Sequence, residues 1–122
     1  MNSLKEYLEK LNIEINDRQE EQFVQYMNLL VEWNEKMNLT AITEREQVFI
    51  KHFADSLTPL MYFDFKGKSV IDVGTGAGFP GLPLKIAEPT IELTLLDALQ
   101  KRIGFLETVG QDLELENVHY IH

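Results

Sequence analysis

The sequence has 122 residues, is 44% hydrophobic and 25% charged, contains no cysteine and carries a formal net charge of −9. That length corresponds to one domain, the missing cysteines exclude a disulfide framework and any thiolate metal site, and no apolar run approaches the roughly 20 residues of a membrane span. The charged start Met1-Asn2-Ser3-Leu4-Lys5-Glu6 has no signal-peptide core, so a cytoplasmic protein with no membrane partner is expected. The acidity is spread along the chain, with 12 acids and 7 bases in residues 1–66 and 8 and 4 in residues 67–122. It weighs against the broad basic face that dominates nucleic-acid affinity, while leaving room for a small basic patch.

The first half reads as helices. Leu4, Tyr7, Leu8 and Leu11 recur at helical spacing. Asn16 or Asp17 caps a second helix, since each has Gln19 or Glu20 three positions on, and the spacing does not choose between them. Phe23, Tyr26, Met27, Leu30, Trp33 and Met37 share one face of that helix, which Asn38-Leu39-Thr40 should end. Thr43 and Glu46 form another capping pair, followed by Phe49, Ile50, Phe53 and Leu57 on one side of a third helix. Thr58-Pro59 stops it, and Pro59 can open a short helix at Leu60 to Tyr62.

Past Asp64 to Lys68 the period changes. Ser69 to Val73 is a short apolar run before glycines, expected to be a buried parallel strand. A helix from Leu82 to Ala87, a strand from Glu92 to Leu96, a helix from Leu99 to about Leu113 and a strand from Asn117 to Ile121 follow. The expected class is therefore α/β: a helical N-terminal region, residues 1–66, before a β-α-β-α-β unit, residues 67–122, which is half of a doubly wound sheet. Ligands of such sheets sit where strand order reverses, so one half supplies one side of the crevice. The chain is accordingly expected to be the N-terminal portion of a longer protein, or a half-fold that pairs its exposed sheet edge with another copy or chain.

Asp72-Val73-Gly74-Thr75-Gly76-Ala77-Gly78 follows the first strand and opens a helix. Glycines there let the backbone turn tightly and approach a ligand. Asp97 ends the next strand, where a carboxylate can accept ribose hydroxyls. Two cofactors compete, because Gly76-Ala77-Gly78-Phe79-Pro80-Gly81 also matches G-x-G-x-x-G with Asp97 21 positions on, a spacing that permits NAD. Three details favour S-adenosylmethionine. The first glycine after the strand is Gly74, two residues ahead of the NAD register. Asp72 suits an ammonium group better than a pyrophosphate, and Pro80 removes a donor at the helix start.

Val70 through Leu84, together with Leu95-Leu96-Asp97, Lys101-Arg102 and Phe105-Leu106, resembles the cofactor half of the glucose-inhibited division protein B family, ribosomal RNA small subunit methyltransferase G. Trp33-Asn34 with Lys36, Asn38-Leu39-Thr40-Ala41-Ile42 and His52 with Asp55-Ser56-Leu57 resemble its helical half. The resemblance covers nearly the whole chain. It implies a class I methyltransferase fold and methyl transfer from S-adenosylmethionine to N7 of a guanine in bacterial small-subunit (16S) rRNA, so the partner would be that rRNA or the small ribosomal subunit. It also implies cofactor contacts at Gly74, Gly76, Gly78 and Phe79, with Asp97 near the ribose, and the loop residues Asp72 and Thr75 are expected to bind the cofactor beside them. The family proteins are longer and carry further cofactor contacts on later strands, so this chain alone is expected to be inactive.

No catalytic residue is expected. Guanine N7 has an in-plane lone pair, and the enzyme mainly has to align N7, methyl carbon and sulfur. His52, Asp55 and Ser56 lie too close along one helix to form a hydrolase triad. With Asn38 and Thr40 they read as a substrate-side polar cluster, or equally as a network anchoring helix to sheet. Trp33 reads as core, and Lys101 and Arg102 as a solvated face. His119 and His122 lack metal-ligand spacing, so no metal is expected. A nicotinamide-dependent oxidoreductase and a non-catalytic interaction module remain the other classes.

Overall fold

The computed structural model describes residues 3–37 and 46–122. Helix α1 (Ser3–Glu9) leads through a turn, with Asn12 in the left-handed region, to the 21-residue helix α2 (Asp17–Met37). The cap of α2 is Asn16. Its Oδ1 accepts the Gln19 amide at 2.8 Å while Gln19 Oε1 accepts the Asn16 amide at 2.7 Å, a reciprocal capping box. Asp17 turns outward instead and pairs with Lys5 at 2.9 Å. Helix α3 (Glu46–Ser56) is followed by a 3-10 turn at Thr58–Met61 carrying Pro59 in its first turn, where a helix over Leu60 to Tyr62 was expected. The expected helix end at Asn38-Leu39-Thr40 and the residue Thr43 lie outside the described residues.

Strands β1 (Ser69–Val73), β2 (Glu92–Leu96) and β3 (Val118–Ile121) form a parallel sheet in the order β1-β2-β3. Helices α4 (Gly81–Ala87) and α5 (Gln100–Asp112) make the crossovers, as the alternating pattern requires. The register aligns Val70 with Leu93 and Val118, and Asp72 with Leu95 and Tyr120. This face carries α4 and α5.

The other face departs from expectation. β1 is not buried on both sides: Ile71 is 67% and Val73 is 71% exposed, and Ile121 is also exposed. The cause is the one-sided helix layer. Among the described residues, α4 and α5 pack on a single face, and the row Val73, Leu96 and Ile121 stays uncovered or half-covered.

Helix α2 lies across α4 and α5 and finishes both. Gln19 Nε2 donates to the carbonyls of Ile86 (2.9 Å) and Ala87 (3.1 Å), and Gln22 Nε2 donates to that of Leu113 (2.9 Å). These are terminal carbonyls that a helix cannot satisfy internally. Phe23, Tyr26 and Leu30 of α2, Phe53 of α3, Leu82 and Ile86 of α4, Leu93 and Leu95 of β2 and Phe105, Leu106 and Val109 of α5 belong to one buried cluster. Each such side chain contributes about 1.5–3 kcal/mol by leaving water, so the helices and the sheet share a core.

Candidate cofactor site

The loop after β1 is tied down by two carboxylates. Asp72 ends the covered face of β1, and its Oδ2 accepts both the Thr75 hydroxyl (2.8 Å) and the Gly81 amide (2.9 Å). Burial pushes the Asp72 carboxyl above the usual carboxylate range, and these two donors oppose the shift. Asp97, the first residue after β2, is buried. Its Oδ2 accepts the Gly76 amide at 2.8 Å, its Oδ1 accepts the Leu99 amide at 2.9 Å, and Arg102 lies 3.6 Å from Oδ1. Burial alone would raise Asp97, but the Leu99 and Gly76 amides and Arg102 outweigh it and hold the carboxyl below the usual range.

The three loop glycines have different reasons to be glycine. Gly74 and Gly76 sit at φ +69° and +60°, and a Cβ on either would meet nothing within 4 Å. Their backbone borders open space at the carboxyl ends of the strands, where ligands of such sheets sit. Gly78, at φ +105°, is different. A Cβ there would lie 2.6 Å from Leu82 Cδ1 and 2.6 Å from Tyr26 Oη, so this glycine makes room for packing beneath the loop. Gly81 is also a packing glycine, since its Cβ would meet Leu95 Cδ2 at 2.8 Å and Asp72 Oδ2 at 2.9 Å.

The loop uses most of its own donors. The Gly74 and Thr75 amides donate to the Leu96 carbonyl (2.8 and 3.2 Å), and the Gly78 amide donates to the Thr75 carbonyl (3.0 Å). At the start of α4, the Gly81 amide goes to Asp72, the Leu82 amide to the Gly78 carbonyl (2.7 Å) and the Leu84 amide to the Pro80 carbonyl (3.1 Å). Pro80 and Pro83 have no amide hydrogen. The place where a dinucleotide fold seats its pyrophosphate is thus filled by the chain's own carboxylate.

Under the loop lies Tyr26, which the sequence placed only on an apolar helix face. It is fully buried, and its hydroxyl donates to the Ala77 carbonyl at 2.5 Å. Its ring stacks on Phe53 (centroids 5.5 Å apart) and lies 5.8 Å from the ring of Phe79. The available signal was chemical: a phenol in an apolar helix stripe needs a buried acceptor. Arg102, read as solvated surface, is the other residue that the sequence did not assign to the loop.

Of the expected substrate-side residues, His52 reaches the loop. It is exposed on α3, and its ring is 5.7 Å from that of Phe79. Asp55 is exposed and Ser56 half-buried on the last turn of α3. No side-chain hydrogen bond joins His52, Asp55 and Ser56 among the described residues. Asn38 and Thr40 lie outside the described residues. Two cavities, of about 270 Å³ beside Gln19, Lys85 and Glu116 and about 430 Å³ beside Ile13, Tyr62 and Glu88, lie away from this loop, toward the end of the sheet where the strands begin. Among the described residues, no three His, Cys, Asp or Glu side chains gather as a metal site, and no helix is long and apolar enough to cross a membrane.

Comparison with known proteins gives one family. A family model described as rRNA small subunit methyltransferase G matches residues 19–122. Three proteins named ribosomal RNA small subunit methyltransferase G are close in sequence. That of Macrococcus caseolyticus is 53% identical over 125 residues, covering 100% of this chain and 52% of the relative. That of Brevibacillus brevis is 54% identical, covering 96% and 50%, and that of Bacillus thuringiensis is 53% identical, covering 94% and 48%. The chain spans about half the length of the curated relatives it matches.

Proposed function

Because the chain belongs to the rRNA small subunit methyltransferase G family, we propose that the loop from Asp72 to Phe79, with Asp97, holds S-adenosylmethionine for methylation of a guanine N7 in small-subunit rRNA. The observation that supports this cofactor over NAD is the carboxylate of Asp72 at the start of α4, bonded to the Gly81 amide at 2.9 Å. A pyrophosphate brought there would meet a negative charge and amides already engaged. S-adenosylmethionine carries a sulfonium and an ammonium and no phosphate. The exposed backbone of Gly74 and Gly76 leaves room for such a ligand to lie against the loop.

The residues fit the group by division of labour. Thr75 and Gly81 hold Asp72, and Gly76, Leu99 and Arg102 hold Asp97. Both carboxylates are thereby fixed before a ligand arrives, which lowers the ordering cost of binding. When bound, S-adenosylmethionine supplies an electrophilic methyl group, which N7 takes through its lone pair without loss of a proton. The chain's part is to position, so no side chain is assigned as a general base. The His52 ring lies 5.7 Å from that of the loop residue Phe79, and we assign His52 to the substrate side of the loop together with Asp55 and Ser56. Completing the reaction draws on residues from the remainder of the relatives' length, and the setting is the cytoplasm.

Calorimetric titration of the chain with S-adenosylhomocysteine and with NAD tests the cofactor. S-adenosylhomocysteine should bind and NAD should not; tighter binding of NAD overturns the assignment. For the target atom, a chimaera joining this chain to the remaining half of the Macrococcus caseolyticus relative should label guanine N7 in undermethylated small subunits. Label on any other atom overturns that part.

A further inference from the structure

A buried hydroxyl from α2 meets the cofactor loop from below. Tyr26 Oη donates to the Ala77 carbonyl at 2.5 Å, and Ala77 lies between the two glycines whose conformations turn the loop, Gly76 at φ +60° and Gly78 at φ +105°. The phenol has little freedom to leave. Its ring is stacked on Phe53 and packed beside Phe79, and the space beneath Gly78 is closed by Tyr26 Oη and Leu82 together. Burial, with the nearby charge of Asp72, pushes the Tyr26 hydroxyl well above its ordinary range, so it stays a donor at every physiological pH. Besides the backbone bonds to Leu96, three side chains hold the loop: Asp72 at its strand end, Asp97 at Gly76, and Tyr26 at Ala77. Only the last comes from the helical region.

We propose that Tyr26 is a positioning residue for the cofactor loop: by holding the Ala77 carbonyl from below, it sets the backbone of Gly76 to Gly78 that a cofactor meets from above. The inference rests on the cofactor reading given under the proposed function. Its physical content is pre-organisation. A loop bearing three left-handed glycines loses much conformational freedom when ordered, and an anchor already in place removes that cost from binding. The bond from α2 to the loop also makes the helical region part of the cofactor site.

Tyr26→Phe keeps the ring and removes the donor. It leaves the Ala77 carbonyl unpaired in a buried place, which should weaken S-adenosylhomocysteine binding roughly 5- to 30-fold. It should also speed hydrogen exchange at the amides of Gly76 to Phe79. Leu30→Val, a buried change further along α2, is the control for general loss of stability and should move neither readout once the two variants are compared at equal unfolding midpoints. Unchanged affinity and exchange in Tyr26→Phe overturns the proposal, as does an equal effect in Leu30→Val. If the parent chain binds no S-adenosylhomocysteine, the cofactor reading fails by itself, and the exchange rates alone then decide whether Tyr26 positions the loop.

Discussion

Asp97 accepts the Gly76 amide at 2.8 Å and so joins the end of β2 to the turn after β1. Its carboxyl is held below the ordinary value of 3.8 because the amides and Arg102 outweigh burial. A carboxyl depressed in the folded state contributes stability that is present above its unfolded value and is lost as pH falls through the folded one. Urea unfolding between pH 5 and pH 2 should therefore show a drop below about 3.8 in the parent that is smaller in Asp97→Asn. Identical slopes for the two proteins would refute the assignment. Asp72 has the opposite sign. Its carboxyl is raised, so its ionisation lowers stability as pH climbs through that raised value, and Asp72→Asn should relieve this component.

The glycines can be ranked. Gly78→Ala puts a Cβ 2.6 Å from both Leu82 and Tyr26 at a left-handed φ, and Gly81→Ala puts one against Leu95 and Asp72. Gly74→Ala and Gly76→Ala meet nothing within 4 Å and cost only the left-handed strain, about 1–2 kcal/mol each. Thermal unfolding should place Gly78→Ala as the least stable of the four. Ligand titration should show Gly74 and Gly76 variants losing affinity out of proportion to their stability.

Lys85 is buried, and its Nζ donates to the carbonyls of Pro89 (2.7 Å) and Ile91 (2.5 Å). It clamps the turn that carries the chain from α4 into β2. Lys85→Met relieves the burial of a charge but strands two carbonyls, and the loss should dominate, at about 1–3 kcal/mol by denaturant unfolding. Burial pushes the lysine below its ordinary 10.5. The folded state then disfavours the proton, so the parent should gain stability relative to Lys85→Met as pH rises toward that value.

Asn16→Ala removes one half of the capping box of α2 and should cost about 1 kcal/mol. Asp17→Ala, which breaks only an exposed pair with Lys5, should cost less than Asn16→Ala in the same unfolding measurement. The reverse order would move the cap to Asp17.

The strands were legible because their patterns are local. Ser69–Val73 occupies the apolar run before the glycines, and Glu92–Leu96 the apolar run between Pro89 and Asp97. The cap of α2 was legible only as a choice, since Gln19 and Glu20 sit equally well in spacing, and the reach of the Gln19 side chain to the Asn16 amide decides it. The exposure of Ile71 and Val73 was not legible. An apolar strand looks the same whether one face or two are covered, and coverage is set by where helices pack. Within the site, the glycines and both aspartates stood out by residue type and position. Tyr26 and Arg102 did not, because the hydroxyl meets Ala77 51 positions away and the guanidinium's role depends on how Asp97 turns. Nor does a motif tell a glycine that borders open space from one that makes room for packing, the difference between Gly76 and Gly78.

The carboxylate that fills the start of α4 has a consequence for competition inside a cell. Most soluble adenosine there carries phosphate, and any adenosine-shaped recess is surrounded by such compounds. At the proposed cofactor site, Asp72 fixed at the start of α4 would sort them by sign before shape is tested, since a like charge brought to an engaged carboxylate is repelled. A rare, phosphate-free nucleoside can then be selected without a pocket that measures every atom of its rivals.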